Sequence, residues 1–382
     1  MSDPYNLRSL DIEQVRARSG AKWQYDPAGY AAWVADMDFP IAPAIRDRLI
    51  EVASTDVGYP AWSRGVSPAA AAFVDRMAGR YGWNPQPSWL YEMNDVIQGV
   101  RVAVHHLTGP GDGVVLHTPA YHPFLDTIAS MGRRIVRVPS PFDHDALDSA
   151  LAREPARLMI LCHPHNPTGH VFTRAELERI AEIAVRHDLF VISDEVHADL
   201  VFPGHTHIPI ASLGPEIAAR TLTLMSATKA FNIAGLRCAV AIFGSESLKT
   251  RFRALPAHIR GGINSFGLGA SEVAWTQAQP WLDEVMAYLD GNRAIVADFV
   301  KQRLPGIRHV TPEATYLAWL DCRALALPED PFTFFLERGR VALSDGRKTG
   351  QGGEGHVRLN FATSRPILQQ ILERLEKSLA RG

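Results

Sequence analysis

A chain of 382 residues exceeds what one hydrophobic core usually serves, so two packed domains, or a large one with a smaller one appended, are expected. Apolar residues at 46%, charged residues at 21%, and 39 basic against 41 acidic side chains exclude fibrous and disordered classes and leave no one-signed field to attract nucleic acid. No basic-then-apolar start and no run near the roughly 20 apolar residues that cross a bilayer point to a cytoplasmic protein, in which Cys162, Cys238 and Cys322, far apart and without a CxxC pair, read as reduced core residues.

From about residue 90 to 245, short β-rich runs alternate with turn residues and helical patterns, the mark of βαβ units and a largely parallel sheet. Strands are predicted at Val114 to Leu116, Ile135 to Val138, Leu158 to Cys162, Leu189 to Ser193, Thr221 to Met225 and Cys238 to Phe243. Their near-continuous apolar character suits strands covered on both faces. Between two of them Thr173 and Glu176 have capping-box spacing, and Leu177, Ile180, Ile183 and Ala184 recur at helical intervals, so a crossover helix starts there. After Phe243 a charge-laced helical stretch, about 271 to 303, precedes a strand-like Thr315 to Leu320, a glycine-rich loop and a last helix from near Ser364. The expected fold is α/β: a large domain over 45–270, with flanking helices on its sheet, and a smaller α+β domain formed by 1–44 and 271–382.

Two glycine clusters fail as nucleotide loops. Gly350 to Gly355 lacks the Lys-Ser/Thr ending of a P-loop and is not followed by a helix, so it reads as a flexible surface connection. Gly109 to Gly113 precedes a strand where a dinucleotide fingerprint must follow one. The pairs His163 with His165 and His205 with His207 find no third ligand at a convincing spacing, so no metal is expected, and the first pair reads as loop residues.

Three polar clusters fall just past the carboxyl ends of predicted strands, where open α/β sheets gather ligand-binding groups: HPHNPTG at 163–169, DEVH at 194–197 and SATK at 226–229. A protein that holds pyridoxal phosphate needs a lysine amine, an acid for the ring nitrogen, and groups for the phosphate and the ring oxygen. The set contains a candidate for each.

With WVADMDF at 33–39, SDEVHADL at 193–200 and KAFNIAGLR at 229–237, the chain resembles fold-type I pyridoxal phosphate enzymes, the aminotransferase class I and II superfamily, over nearly its whole length. Within that superfamily these segments resemble the cystathionine beta-lyase, or cysteine-S-conjugate beta-lyase, branch. The resemblance implies that Lys229 is the Schiff-base lysine, with Ser226 and Arg237 as phosphate ligands. It makes Asp194 the partner of the pyridine nitrogen, Asn166 the amide on the ring's 3'-oxygen, and Tyr121 the aromatic stacked on the ring. Arg358, in HVRLNFATS, matches the arginine that grips the substrate α-carboxylate, a task suited to a planar fork. His197 stands where many transaminases have tyrosine and the lyase branch has histidine; it is also readable as a plain structural histidine. The segment at Tyr59-Pro60 resembles a loop reaching into a neighbouring subunit's site, which implies a homodimer.

The implied activity is β-elimination from cystathionine or a related L-cysteine S-conjugate, giving pyruvate, ammonia and a thiol. An aminotransferase needs the same lysine, aspartate and arginine and remains open, as does a binding protein that keeps fold and cofactor.

Overall fold

The computed structural model describes residues 3–60, 66–139 and 143–380. It divides into two compact units, one of Ile41–Pro164 and Val171–Pro280, the other of Met1–Pro40, His165–His170 and Trp281–Gly382. The fold is α/β.

Among the described residues the larger unit holds one seven-stranded sheet, in the order Leu90–Met93, Ala239–Phe243, Thr221–Met225, Phe190–Asp194, Leu158–Cys162, Gly113–Thr118, Arg134–Pro139. The last five are mutually parallel, and Ala239–Phe243 runs antiparallel to both its neighbours. Alternate side chains enter opposite cores, as strand geometry requires. Val114, Leu116, Leu158, Ile160 and Ile192 pack with Val100 and Val104 of the helix Val96–Leu107. Val115, Met159, Leu161 and Val191 pack with Leu177, Ile180, Ile183 and Ala184 of the helix Arg174–Arg186. That helix starts at a complete capping box between Thr173 and Glu176, and full burial of a side chain such as Ile180 contributes about 1.5–3 kcal/mol.

All six predicted strands form, two with the expected limits and four with ends shifted by a residue or two; the run expected at 189–193 is Phe190–Asp194, so Asp194 is the strand's last residue. The seventh, Leu90–Met93, lies outside the predicted set. It is an edge strand whose Tyr91 and Glu92 are only half-buried, so no apolar run marks it. The helical stretch expected over 271–303 is two helices, Ser265–Gln277 and Gln279–Arg303. Pro280 cannot sit in a helix interior, and the second helix begins around it.

In the smaller unit Ser344–Asp345, His356–Asn360, Leu317–Asp321 and Arg308–His309 form an antiparallel sheet in that order. Tyr30–Ala31 pairs in parallel with Val341–Ala342, which ties the amino-terminal segment to the carboxyl-terminal part of the chain. The last helix, Arg365–Ala380, buries Ile367, Leu368, Ile371, Leu372 and Leu375. The loop Gly350–Gly355 is exposed at Gln351, Gly352 and Glu354, but Gly353 packs so closely on Gly346 that an added Cβ would lie 2.0 Å from Gly346 O. Among the described residues no helix is long and apolar enough to cross a membrane.

Candidate active site

The candidate residues fall into two sets, one on each unit. On the larger unit the parallel strands bring their carboxyl ends into line, with Cys162 opposite Asp194 and Asp194 opposite Leu224. The chain leaving each strand is tied to its neighbour: His163 N donates to Asp194 O at 2.9 Å, and Glu195 N to Leu224 O at 2.9 Å.

Asp194 is 3% exposed, and its Oδ1 accepts from Val196 N at 3.1 Å. Burial pushes its carboxyl up to about 7; the Val196 bond and the Lys229 charge pull it down, and Glu195 pushes it up. A buried carboxylate in this state lacks a cation strong enough to offset its desolvation. A protonated ring nitrogen would supply one.

Lys229 lies half-buried on the turn after Thr221–Met225, a turn closed by Phe231 N to Ala227 O and Ile233 N to Thr228 O, both 3.0 Å. Ser226 Oγ accepts from Thr228 N at 3.1 Å and donates to Cys238 O at 2.5 Å, so its single proton must turn to meet a phosphate. Arg237 follows a short helical turn in the left-handed region, at φ +46°. Its guanidinium is exposed and meets Asp95 Oδ2 at 2.5 Å. Asp95 caps the helix Val96–Leu107 through Gln98 N at 2.7 Å, so Arg237 stands at a helix amino terminus. Guanidinium, hydroxyl and helix terminus together suit a dianion.

Tyr121 immediately precedes the helix His122–Ser130 and packs edge-on against Phe124 at 5.6 Å between ring centres. His197 is buried just before the turn Ala198–Leu200. Tyr59 is 90% exposed, and Val57 and Ile50 are exposed near it in sequence.

Beneath the DEVH segment runs a polar layer that the sequence reading does not single out. Glu195 Oε1 accepts from Ser193 Oγ at 2.7 Å, and Glu195 Oε2 lies 2.8 Å from His207 Nε2, both side chains fully buried. The His207 ring lies 4.5 Å from that of His163, so neither is a loose loop residue. Asp199 gathers Arg76, Arg80 and Tyr81 at 2.6 to 3.0 Å; burial pushes its carboxyl up, but these donors hold it below the usual range. The acids at 194, 195 and 199, at and just past the end of an apolar strand, and the His205–His207 pair are the traces of this layer in the sequence. Among the described residues no three His, Cys, Asp or Glu side chains group to hold a metal ion.

On the smaller unit Arg358 lies in the central strand His356–Asn360, opposite Ser344 on one neighbour and Trp319 on the other. It is 8% exposed. One terminal nitrogen donates to Asn166 Oδ1 at 2.7 Å, the other to Ser344 Oγ at 3.0 Å and to Trp33 O at 3.1 Å. A guanidinium only donates, so the amide oxygen of Asn166 must face it and the NH₂ is presented on the other side as a donor. An anionic ring oxygen needs that donor. The turn that carries Asn166 is held by Glu313 N and Ala314 N, both 3.0 Å from Gly169 O. Gly169 is obligatory there: φ is +74°, and a Cβ would lie 2.4 Å from Pro312 Cβ.

The family model for aminotransferase class I and II matches residues 96–375. The chain is 35% identical to cystathionine beta-lyase PatB of Bacillus subtilis, over 91% of this chain and 92% of that one. It is 32% identical to a cystathionine beta-lyase of Corynebacterium glutamicum, over 98% and 100%. Among solved structures, the PLP-bound C-S lyase of Staphylococcus hominis superposes with a TM-score of 0.89 at 28% identity, over 98% of each chain.

Proposed function

The chain belongs to the aminotransferase class I and II family, and from that premise we propose that it is a pyridoxal 5'-phosphate-dependent carbon–sulfur β-lyase acting on cystathionine or related L-cysteine S-conjugates. The buried Asp194, pushed up to about 7 for want of a cation and placed at a strand end close to Lys229, carries the cofactor assignment. Elimination over transamination is supported by the full-length relatives named as cystathionine beta-lyases and by histidine at position 197.

Lys229 would attach the cofactor, Asp194 would keep a proton on its ring nitrogen, and Asn166 would donate to its ring oxygen. Ser226, Arg237 and the amino terminus of Val96–Leu107 would hold the phosphate, with Tyr121 against the ring and His197 beside it. When bound, the cofactor supplies an electron-withdrawing ring that takes up the pair left on the substrate's α-carbon. Arg358 would hold the α-carboxylate by its charge and its remaining N–H donors, which fixes the α-carbon. The Lys229 amine, once released by the incoming amine of the substrate, takes the α-proton. The carbon–sulfur bond breaks, the sulfur leaves as a thiol, and water supplies the oxygen of pyruvate as nitrogen departs as ammonia.

The working unit is a homodimer in which Tyr59 enters the partner's site; its 90% exposure, beside exposed Val57 and Ile50, suits a covered face. Residues 61–65 lie outside the described part of that loop. The buried, unbridged cysteines suit a reducing cytoplasm. The deciding experiment incubates purified enzyme with L-cystathionine and a panel of cysteine conjugates, without 2-oxo acid. Equal amounts of pyruvate, ammonia and thiol are expected. No thiol from any conjugate, together with 2-oxo-acid-dependent amino transfer from ordinary amino acids, would establish the aminotransferase instead.

A further inference from the structure

The segment WVADMDF is neither helix nor strand, yet its backbone carbonyls are held one after another by side chains. Residues 33–38 belong to no helix or strand, so their carbonyls have no ladder to join. Side chains take that part. Val34 O and Asp36 O each accept from Asn360 Nδ2 at 2.7 Å, and Ala35 O accepts from the Tyr316 hydroxyl at 2.9 Å. Trp33 O accepts from Ser344 Oγ at 2.6 Å and from Arg358 at 3.1 Å. Arg358 and Asn360 are two residues apart on one strand and so share a face; the segment is mated to that face.

Behind the segment stands a buried ion pair. Lys22 Nζ lies 3.0 Å from Asp38 Oδ1, with side chains 6% and 2% exposed. The same ammonium donates to Asp36 O at 3.1 Å, and Trp23 Nε1 donates to Asp38 Oδ1 at 2.7 Å. The carbonyl of Lys22 accepts from Trp33 Nε1 at 2.9 Å. One residue thus touches the segment at 33, 36 and 38. Burying two charges costs free energy that apolar packing would not, so the pair is poor evidence of a stability role, and its geometry has to explain it.

We propose that Lys22 is a positioning residue for amino-acid recognition: through Trp33, Asp36 and Asp38 it sets the segment whose Trp33 carbonyl aims the Arg358 guanidinium. The inference rests on the carboxylate role given to Arg358 above. Its consequence is that the amino-terminal residues govern which amines the enzyme accepts, while leaving the cofactor's own attachment alone.

Two reagents separate these effects without turnover. Aminooxyacetate and O-methylhydroxylamine would react through the same aminooxy group at the cofactor carbon that Lys229 holds, releasing the lysine amine, and only the first carries a carboxylate. The ratio of their second-order rate constants, followed by absorbance of the holoenzyme, reads carboxylate recognition. The double variant Lys22→Met/Asp38→Asn keeps an acceptor for Trp23 and strands no charge. Its ratio should fall by about 10-fold or more, the scale of a displaced binding group, with the O-methylhydroxylamine rate unchanged. Arg358→Lys serves as the control and should lower the ratio too. A ratio unmoved by the double variant but lowered by Arg358→Lys overturns the proposal and spares the role of Arg358, as does equal slowing of both reagents. A ratio unmoved by Arg358→Lys overturns the role itself. Should the double variant not fold, Trp33→Phe removes the bond to Lys22 O while keeping an aromatic ring beside Tyr25. It should lower the ratio about threefold, the worth of one hydrogen bond, and no change there would equally overturn the proposal.

Discussion

The two charged anchors of the candidate site are prepared in opposite ways. Asp194 is buried with one backbone donor and pushed up to about 7, so the larger unit carries an electrostatic deficit that a bound cation would fill. Arg358 is equally buried but meets an amide oxygen, a hydroxyl and a backbone carbonyl, so its orientation is set by the protein alone. The contrast matches what each anchor would hold. A resident cofactor can contribute lasting stability and so can be met by an unfavourable apo site; a substrate that comes and goes is better met by a fork already aimed.

The largest effect should come from Lys229→Ala, which removes the attachment point on the deficit side and with it about 10²- to 10⁴-fold of turnover. Borohydride reduction followed by peptide mapping should find the adduct on Lys229 in the parent and none in the variant. An adduct on another lysine refutes the assignment.

On the prepared side, Arg358→Lys keeps the charge and loses the fork, so kcat/KM for α-amino acids should fall by a factor corresponding to about 2–5 kcal/mol of transition-state stabilisation while cofactor affinity holds. Unchanged kcat/KM would mean that another group holds the carboxylate.

The deficit itself can be measured in the apoprotein. Because the folded carboxyl of Asp194 sits near 7, above its ordinary value of 3.8, the folded state binds more protons than the unfolded one between those values. Stability therefore falls as pH rises from about 4 to 7, by about 2–4 kcal/mol, and stays low above. Apo Asp194→Asn should be more stable than the parent at pH 8 and should lose that advantage near pH 4. Loaded with cofactor, the order should reverse. Denaturant melts of both forms decide it, and a variant no more stable than the parent at pH 8 would show the site carries no such deficit.

The smallest effect tests how far the fork is over-determined. Ser344→Ala removes one of three acceptors and should raise KM by a factor corresponding to about 1 kcal/mol, with kcat preserved. A loss as large as that of Arg358→Lys would mean that Ser344 alone orients the guanidinium.

Much of the larger unit was legible because its signals are local. The run at 158–162 is apolar on both faces and the run at 221–225 alternates threonine with leucine and methionine, and both became strands with those limits. The Thr173–Glu176 cap needs only three residues of separation and formed as read. The edge strand Leu90–Met93 escaped because one of its sides has no neighbour, and with it went the helix start at Asp95, although Asp95 followed by Val96, Val100 and Ala103 was a readable cap and stripe. The pairing of Glu195 with His207 escaped for another reason, since a loop of unconstrained length lies between them and the HxH pattern invites a metal reading.

What the sequence by itself determined is the succession of strands and crossover helices, the placing of Asn166, Asp194 and Lys229 at strand ends, and a residue set suited to pyridoxal phosphate. These follow from periodicity, capping and turn chemistry, which act over a few residues. Only the tertiary structure decided that Arg358 would meet Asn166 across 192 positions of chain, that Asn166 would thereby present its NH₂, and that Lys22 and Asp38 would be buried together behind Trp33. Such contacts join segments far apart in sequence, where no local preference distinguishes one partner from another. The partners are chosen when apolar burial closes the core and leaves each buried polar group to find, among the few within reach, one that satisfies it.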